Sequence, residues 1–433
     1  MRAELCLGAW LQMISQDLAR EQSKLLESSK MPRDFGRLTA NRKLPCGVRF
    51  SAGALSPHMF RNEQFNALSF PPGLDASDAD TSRSIDQLLA QAIESSASDI
   101  ILVNGSPATF RVNGALKAVP GPNMAAEHIW NLLEPLLTPN QYEELKERKC
   151  LDLCFVRGAS GRFRANLHFQ RGTFAASIRI LPNEIPTLES LNLPQSLSVL
   201  AERRQGLILL TGATGCGKTS TMAALINTIN RTRHDHIITI EDPVEFQHQN
   251  QKSLVEQIEL GVDTPSFAQA VRAVLRQDPD VILIGEMRDS ETMAAALTAA
   301  ETGHLVLTSL HTNDAAQAIS RILDIFPTGF QSQIRSQLSL ALLAVIHQRL
   351  LPAVNSIDRY PAVEILMATS GIRNLIRRGD DHQVRANIET GRSEGMQTIE
   401  QSLAELVRNK RISLETAYAH SSHPEDLRRH LKG

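Results

Sequence analysis

Between Gly206 and Asn230 the chain reads GLILLTGATGCGKTSTMAALINTIN, and this stretch constrains the fold more than any other. Leu207 to Leu210 is a short apolar run that reads as a buried strand. GATGCGKT, Gly212 to Thr219, follows it. Met222, Leu225, Ile226 and Ile229 then recur at helical spacing. Strand, glycine loop and helix in that order are the context in which G-x-x-x-x-G-K, followed by Ser or Thr, binds phosphate. The glycines let consecutive N–H groups turn toward one anion. The helix start adds unpaired donors and the positive end of its dipole. Lys218 can bring a compact charge to the β- and γ-phosphates, and the Thr219 hydroxyl suits Mg2+. The expected nucleotide contacts are Thr214, Gly215, Cys216, Gly217, Lys218, Thr219 and Ser220, with ATP and Mg2+ as the ligands. Cys216 reads as a small loop residue, because loop interiors contribute mostly backbone N–H groups.

At 433 residues, two or three domains are expected. A hydrophobic fraction of 42% is enough for sizeable cores, and a formal charge of −2 gives no global pull toward nucleic acid or anionic lipid. The five cysteines have no recurring paired spacing, which fits a reducing compartment. Cys150 and Cys154 lack a second pair or a nearby His cluster, so they read as small apolar residues and not as zinc ligands. No apolar run approaches the length of a membrane span. Glu4 follows soon after Arg2 and no cleavage site closes a continuous apolar core, so no secretory signal is expected. The expectation is a soluble, cytoplasmic protein.

Leu7, Trp10, Leu11, Ile14 and Leu18 recur at helical spacing, and the pattern then breaks down into the Pro71-Pro72-Gly73 and DASDADTS linker. A helix carrying Ile85, Leu88, Leu89, Ala92 and Ile93 opens an α+β domain. Strand-like runs follow, punctuated by the turn signals Asn104-Gly105 and Asn113-Gly114. A helix over Met124 to Leu137 precedes three strands, Leu151–Val156, Gly161–Gln170 and Thr173–Ile180. Arg162, Arg164, Arg171 and Arg179 line these strands; they form a solvated face or present guanidinium groups to a phosphate bound elsewhere. After the proline-punctuated Leu181 to Pro194, strands over Ile237–Ile240, Val281–Ile284 and His304–Ser309 alternate with helices over Ser266–Arg276 and Thr292–Ala300. That alternation predicts a parallel, helix-covered sheet. Helices are expected over Ser332–Leu351, Gly371–Arg378, Thr398–Asn409 and Leu414–His420, with a last strand over Tyr360–Met367.

Acidic residues follow successive strands, where an open α/β sheet binds its ligands. Hydrolysis needs a metal holder and a group that orients water. Glu286, after VILIG, can hold Mg2+ directly or through water. Glu245, in EDPVEF, can orient the attacking water. Asp242 precedes a proline turn and can be a simple loop residue.

The combination resembles the hexameric secretion and type IV pilus motor ATPases, from near Ile85 to the C-terminus. The resemblance rests on TGATGCGKTSTMAALIN, ITIEDPVEF, DPDVILIGEMRDSETMAAALTAAETGHLV and SLHTNDAAQAISRILDIFP. SDIILVNGSPATFRVNGAL also resembles the family's N-terminal PAS-like domain. The resemblance implies an α/β fold: a RecA-like P-loop NTPase core over 194–351, a smaller α+β PAS-like domain over 83–193 and a mainly helical region over 352–433. Residues 1–82 are then a poorly structured extension and linker. Carried over by position, it implies Lys218 and Thr219 at phosphate and Mg2+, Glu245 as the catalytic glutamate and Glu286 as the Walker B acid. His304 and His311 match the family's His-box region, and Arg164 and Arg179 are phosphate-sensing arginines.

Within the family, GIRNLIRRGD resembles the retraction branch's A-I-R-N-L-I-R motif, with Gly371 in place of alanine. EGMQTIEQSL fits the same branch. No cysteine follows Cys216, so the four-cysteine zinc loop of assembly-type members is absent. The resemblance therefore implies a homo-hexameric ATPase motor for type IV pilus retraction, acting on the inner-membrane platform protein from the cytoplasmic side, with a possible paralogous pilus ATPase beside it. An assembly or type II secretion ATPase is the alternative within the family, and a RecA-like DNA-handling protein the alternative outside it. Aromatic content of 4% gives no sign of a strand-binding surface, so no nucleic acid partner is expected.

Overall fold

The computed structural model describes residues 84–432, apart from 113, 158–160, 183, 356 and 357. The amphipathic stretch from Leu7 to Leu18 and the linker through Ser82 lie outside the described residues.

The described chain begins with α1 (Ile85–Glu94). The Ser84 hydroxyl accepts the Gln87 N–H at 3.2 Å, and the Gln87 side chain accepts the Ser84 N–H at 3.1 Å. This reciprocal cap fixes the helix start. Ile85, Leu88, Leu89 and Ala92 form its buried face. Then come β1 (Ala97–Leu102), β2 (Thr109–Val112), β3 (Ala115–Ala118), α2 (Ala126–Leu133), α3 (Pro139–Arg148), β4 (Cys150–Arg157), β5 (Gly161–Gln170) and β6 (Thr173–Leu181). The strands form an antiparallel sheet in the order β3-β2-β1-β6-β5-β4. Trp130 of α2 meets Phe174 of β6 edge-on at 5.1 Å, at the centre of this core. In β5 the buried residues are Phe163, Ala165 and Leu167, so the period-two alternation sends Arg162 and Arg164 to the opposite face.

The second sheet is built from α4 (Ser198–Ala201), β7 (Gly206–Thr211), α5 (Lys218–Thr232), β8 (His236–Glu241), β9 (Leu254–Glu259), α6 (Phe267–Val274), β10 (Val281–Ile284), α7 (Ser290–Glu301), β11 (Leu305–Leu310), α8 (Ala315–Asp324), α9 (Thr328–Ala341), β12 (Leu342–Pro352) and β13 (Arg359–Met367). Its order is β13-β12-β7-β11-β10-β8-β9, parallel except for β13. Every residue of β7, β10 and β11 is buried, as helices on both faces require.

Two expectations need correction. The helix expected over Ser332–Leu351 ends at Ala341, and the chain continues as β12. Leu342, Val345, Ile346 and Leu350 suit either period, and pairing with β7 from Leu342↔Leu207 to His347↔Thr211 decides for the strand. The sheet also runs past residue 351, the expected edge of the core, because β13 pairs with β12 from Ala344↔Met367 to Pro352↔Arg359. β9 escapes the sequence reading because LVEQIE is an edge strand with half-exposed residues.

The remainder is helical: α10 (Ser370–Arg378), α11 (Val384–Thr390), α12 (Ile399–Arg408), α13 (Leu414–His420) and α14 (Pro424–Lys432). Ile399, Leu403, Ala404, Ala417 and Leu427 pack on Leu351 and Ala362 of the β12–β13 hairpin.

Candidate functional site

The parallel strands deliver their loops to one edge of the sheet. β7 leads into the glycine loop, which ends in α5. Gly212 stands at φ +138° and Gly217 at φ +92°, both in the region that disfavours a side chain. A Cβ on Gly212 would lie 2.4 Å from the Gln348 carbonyl oxygen, and one on Gly217 would lie 2.7 Å from Gln348 Nε2. The loop is therefore pressed against β12. Gly217 caps α5 without a side-chain acceptor, which leaves the first N–H groups of the helix to a ligand.

Lys218 is 9% exposed, and its ammonium donates to the carbonyls of Gly212 at 2.9 Å and Ala213 at 3.0 Å. Burial lowers its pKa, while Cys216 and Glu286 act the other way. Thr214 and Gly215 are exposed, and Thr219 and Ser220 are half-buried at the start of α5. Cys216 is buried, and burial raises its thiol pKa against the pull of Lys218.

Glu286 follows β10. Its Oε1 is 2.5 Å from Arg288 Nη2, and its Oε2 is 4.0 Å from His311 Nε2. The His311 pKa is lowered by burial and by Lys218, with Glu286 opposing. His304 stands before β11, at the opposite end of that strand from His311, with Nδ1 2.9 Å from the Ala299 carbonyl oxygen. The structure thus separates the two histidines that the sequence groups together.

Glu245 is half-buried on the loop after β8, with Asp242 exposed before it. That loop is tied down on three sides. The Glu259 carboxylate accepts the Val244 N–H at 3.1 Å. Gln257 Nε2 donates to the Phe246 carbonyl at 2.9 Å and to the Glu241 carboxyl at 3.1 Å. Arg162 of β5 donates to the carbonyls of Val244 at 2.7 Å and Glu245 at 3.2 Å. Glu241 itself is buried, its pKa raised by burial despite hydrogen bonds from Thr239 and Gln257.

Arg164 and Arg179 sit directly opposite one another on β5 and β6. Arg164 lies 3.8 Å from Asp152 and Arg179 lies 3.0 Å from Asp99. Arg162 is the strand arginine with hydrogen bonds to the Glu245 loop. The alternation of arginines is visible in the sequence, but which one reaches the loop depends on how the two sheets pack.

Gln348 is the other residue that the sequence reading misses, hidden in a segment read as helix. Its amide donates to the Cys216 carbonyl at 2.6 Å and accepts the Thr221 hydroxyl at 2.9 Å. Its neighbours face away. His347 Nδ1 is 3.2 Å from Thr211 Oγ1, and its Nε2 accepts from Arg349 Nε at 3.2 Å. That donor leaves His347 neutral, and burial, Arg349 and Lys218 push its pKa down to about 4. Arg349 reaches on to the carbonyls of Asn313 and His420 and to the Ser422 hydroxyl.

Chemically, this edge offers a row of N–H donors, a buried cation and oxygen donors from Thr219 and Glu286. Hard oxygen donors of this kind suit Mg2+, which keeps several waters and shares phosphate oxygens. Among the described residues no helix is long and apolar enough to cross a membrane.

The model of a family described as type II/IV secretion system protein matches residues 75–432. A twitching motility protein of Neisseria gonorrhoeae is 43% identical over 318 residues, 73% of this chain and 85% of that protein. The type IV pilus retractation ATPase PilT of Pseudomonas aeruginosa is 40% identical over 343 residues, 79% of this chain and 99% of that protein. A crystal structure of the pilus retraction motor PilT with bound ADP superposes with a TM-score of 0.75 at 44% identity, covering 80% of this chain and 99% of that one.

Proposed function

The chain belongs to the type II/IV secretion system protein family, and we propose that within it this protein is an ATP-hydrolysing motor for type IV pilus retraction. The observation that carries the reading is the coverage of a named retraction ATPase over 99% of its length, with the glycine loop and Lys218 seated at the ligand-binding edge of the sheet. The reaction is ATP plus water to ADP and phosphate: the water oxygen attacks the γ-phosphorus and the bond to the β–γ bridging oxygen breaks.

The residue roles follow from chemistry. The N–H groups from Thr214 through Ser220 and the Lys218 ammonium hold the β- and γ-phosphates. Thr219 and Glu286 would hold Mg2+, which when bound would neutralise charge on the phosphate oxygens. Glu245 orients the attacking water. His311, beside Glu286, reports the state of the γ-phosphate, and Arg164 and Arg179 approach it from the first domain when the two sheets close on nucleotide. That domain, 83–193, is PAS-like, and the core from 194 is RecA-like. Six copies form the ring. The motor works on the cytoplasmic face of the inner membrane against the platform protein, alone or beside a paralogous ATPase.

The test is ATPase turnover of the purified protein. Glu245→Gln should retain ATP and lose hydrolysis by about 100-fold or more, the scale of a lost general base. Turnover within a few-fold of wild type would remove Glu245 from the water-orienting role.

A further inference from the structure

We propose that Gln348 is a positioning residue for the phosphate-binding loop, an inference that rests on reading Gly212–Thr219 as the ATP site. β12 pairs with β7 as far as His347↔Thr211. Gln348 is therefore the first residue of β12 to stand beside the loop instead of a strand. It is 4% exposed. Its two hydrogen bonds fix its amide orientation, since only Nε2 can donate to the Cys216 carbonyl and only Oε1 can accept from Thr221. The Thr221 hydroxyl also lies 3.0 Å from the Gly217 carbonyl, which accepts the Thr221 N–H at 3.0 Å as well. Gln348 Oε1, at 2.9 Å, and the Gly217 carbonyl share the single hydroxyl proton.

The consequence lies in the peptide between Cys216 and Gly217. A trans peptide is planar, with its C=O and N–H pointing opposite ways. Holding the Cys216 carbonyl against Gln348 aims the Gly217 N–H away from β12, toward the open side of the loop. There it joins the N–H groups that begin α5, the set that an anion needs. A peptide free to rotate would turn an oxygen toward the incoming phosphate in place of a donor. The absence of a Cβ at Gly212 and Gly217 is what lets Gln348 approach so closely.

The test compares full-length variants for affinity toward a fluorescent ADP analogue, for kcat and KM with ATP, and for nucleotide-free thermal midpoint. Gln348→Leu keeps the volume and removes both bonds; it should weaken ADP and raise KM about tenfold, the scale of a buried hydrogen-bond partner lost, with the midpoint within a few degrees of wild type. Thr221→Val should weaken ADP a few-fold, and Thr221→Ser should restore it. Wild-type ADP affinity in Gln348→Leu, with or without a lower midpoint, overturns the proposal if Lys218→Ala loses ADP binding. Unchanged affinity in Lys218→Ala as well overturns the site reading itself. If Gln348→Leu fails to fold, the Thr221 pair decides: equal affinity in the Val and Ser variants overturns the role of Gln348.

Discussion

Cys216 lies in the middle of the proposed phosphate loop, where a thiolate would oppose the ligand's charge. Burial keeps it protonated by raising its pKa, more strongly than Lys218 lowers it. Cys150 by contrast is exposed on β4. Brief alkylation with iodoacetamide at pH 7.5, read by peptide mass spectrometry, should therefore label Cys150 at least about tenfold faster than Cys216. Equal labelling would contradict a protonated, buried thiol in the loop. Two histidines, buried His347 and half-buried His248, set a pH dependence of stability. Burial lowers the pKa of both His248 and His347 from 6.5 to about 4. Between these values the unfolded chain binds protons that the folded chain does not, so stability is lost as pH falls through the window and is flat above it. Each contributes on the order of 2 kcal/mol between pH 7 and pH 5. The thermal midpoint should drop over that range, and less steeply in His347→Gln; an identical slope in the variant would show that His347 titrates as it does in the unfolded chain.

Strands carry these residues to their places, and the sequence is most informative where a strand, a turn and a helix follow one another. β7 with its loop, β8 before Glu245 and β10 before Glu286 are legible because apolar runs end in residues suited to phosphate or metal. β12 is not, because its apolar positions fit helix and strand alike, and Gln348 is lost with it. Arg162, Arg164 and Arg179 are indistinguishable as a pattern. Only the packing of two sheets gives Arg162 the Val244 and Glu245 carbonyls, while Arg164 and Arg179 stand beside Asp152 and Asp99. This makes β5 a strut for the Glu245 loop. Arg162→Ala should raise amide hydrogen exchange in residues 244–250 by about tenfold, the effect of losing bonds from a charged donor, with little change in the β7–β11 strands. Unaltered exchange in that loop would show that the remaining ties from Gln257 and Glu259 suffice.

At the scale of the molecule, two sheets meet at the loop that holds Glu245, and helices of the C-terminal region meet the reverse face of β12 through Arg349. The proposed nucleotide site at the sheet edge thus adjoins both the first domain and the last helices, the arrangement a motor needs to convert hydrolysis into relative motion. On the proposed function, this motion shortens pili. The most direct measurement replaces the chromosomal gene with Glu245→Gln in the source organism and follows labelled pili by fluorescence microscopy. Abundant pili that extend and fail to shorten are expected, with wild-type behaviour restored by the unmodified gene. Loss of pili altogether, or shortening at the wild-type rate, would contradict it; the first result would point to assembly or secretion in place of retraction.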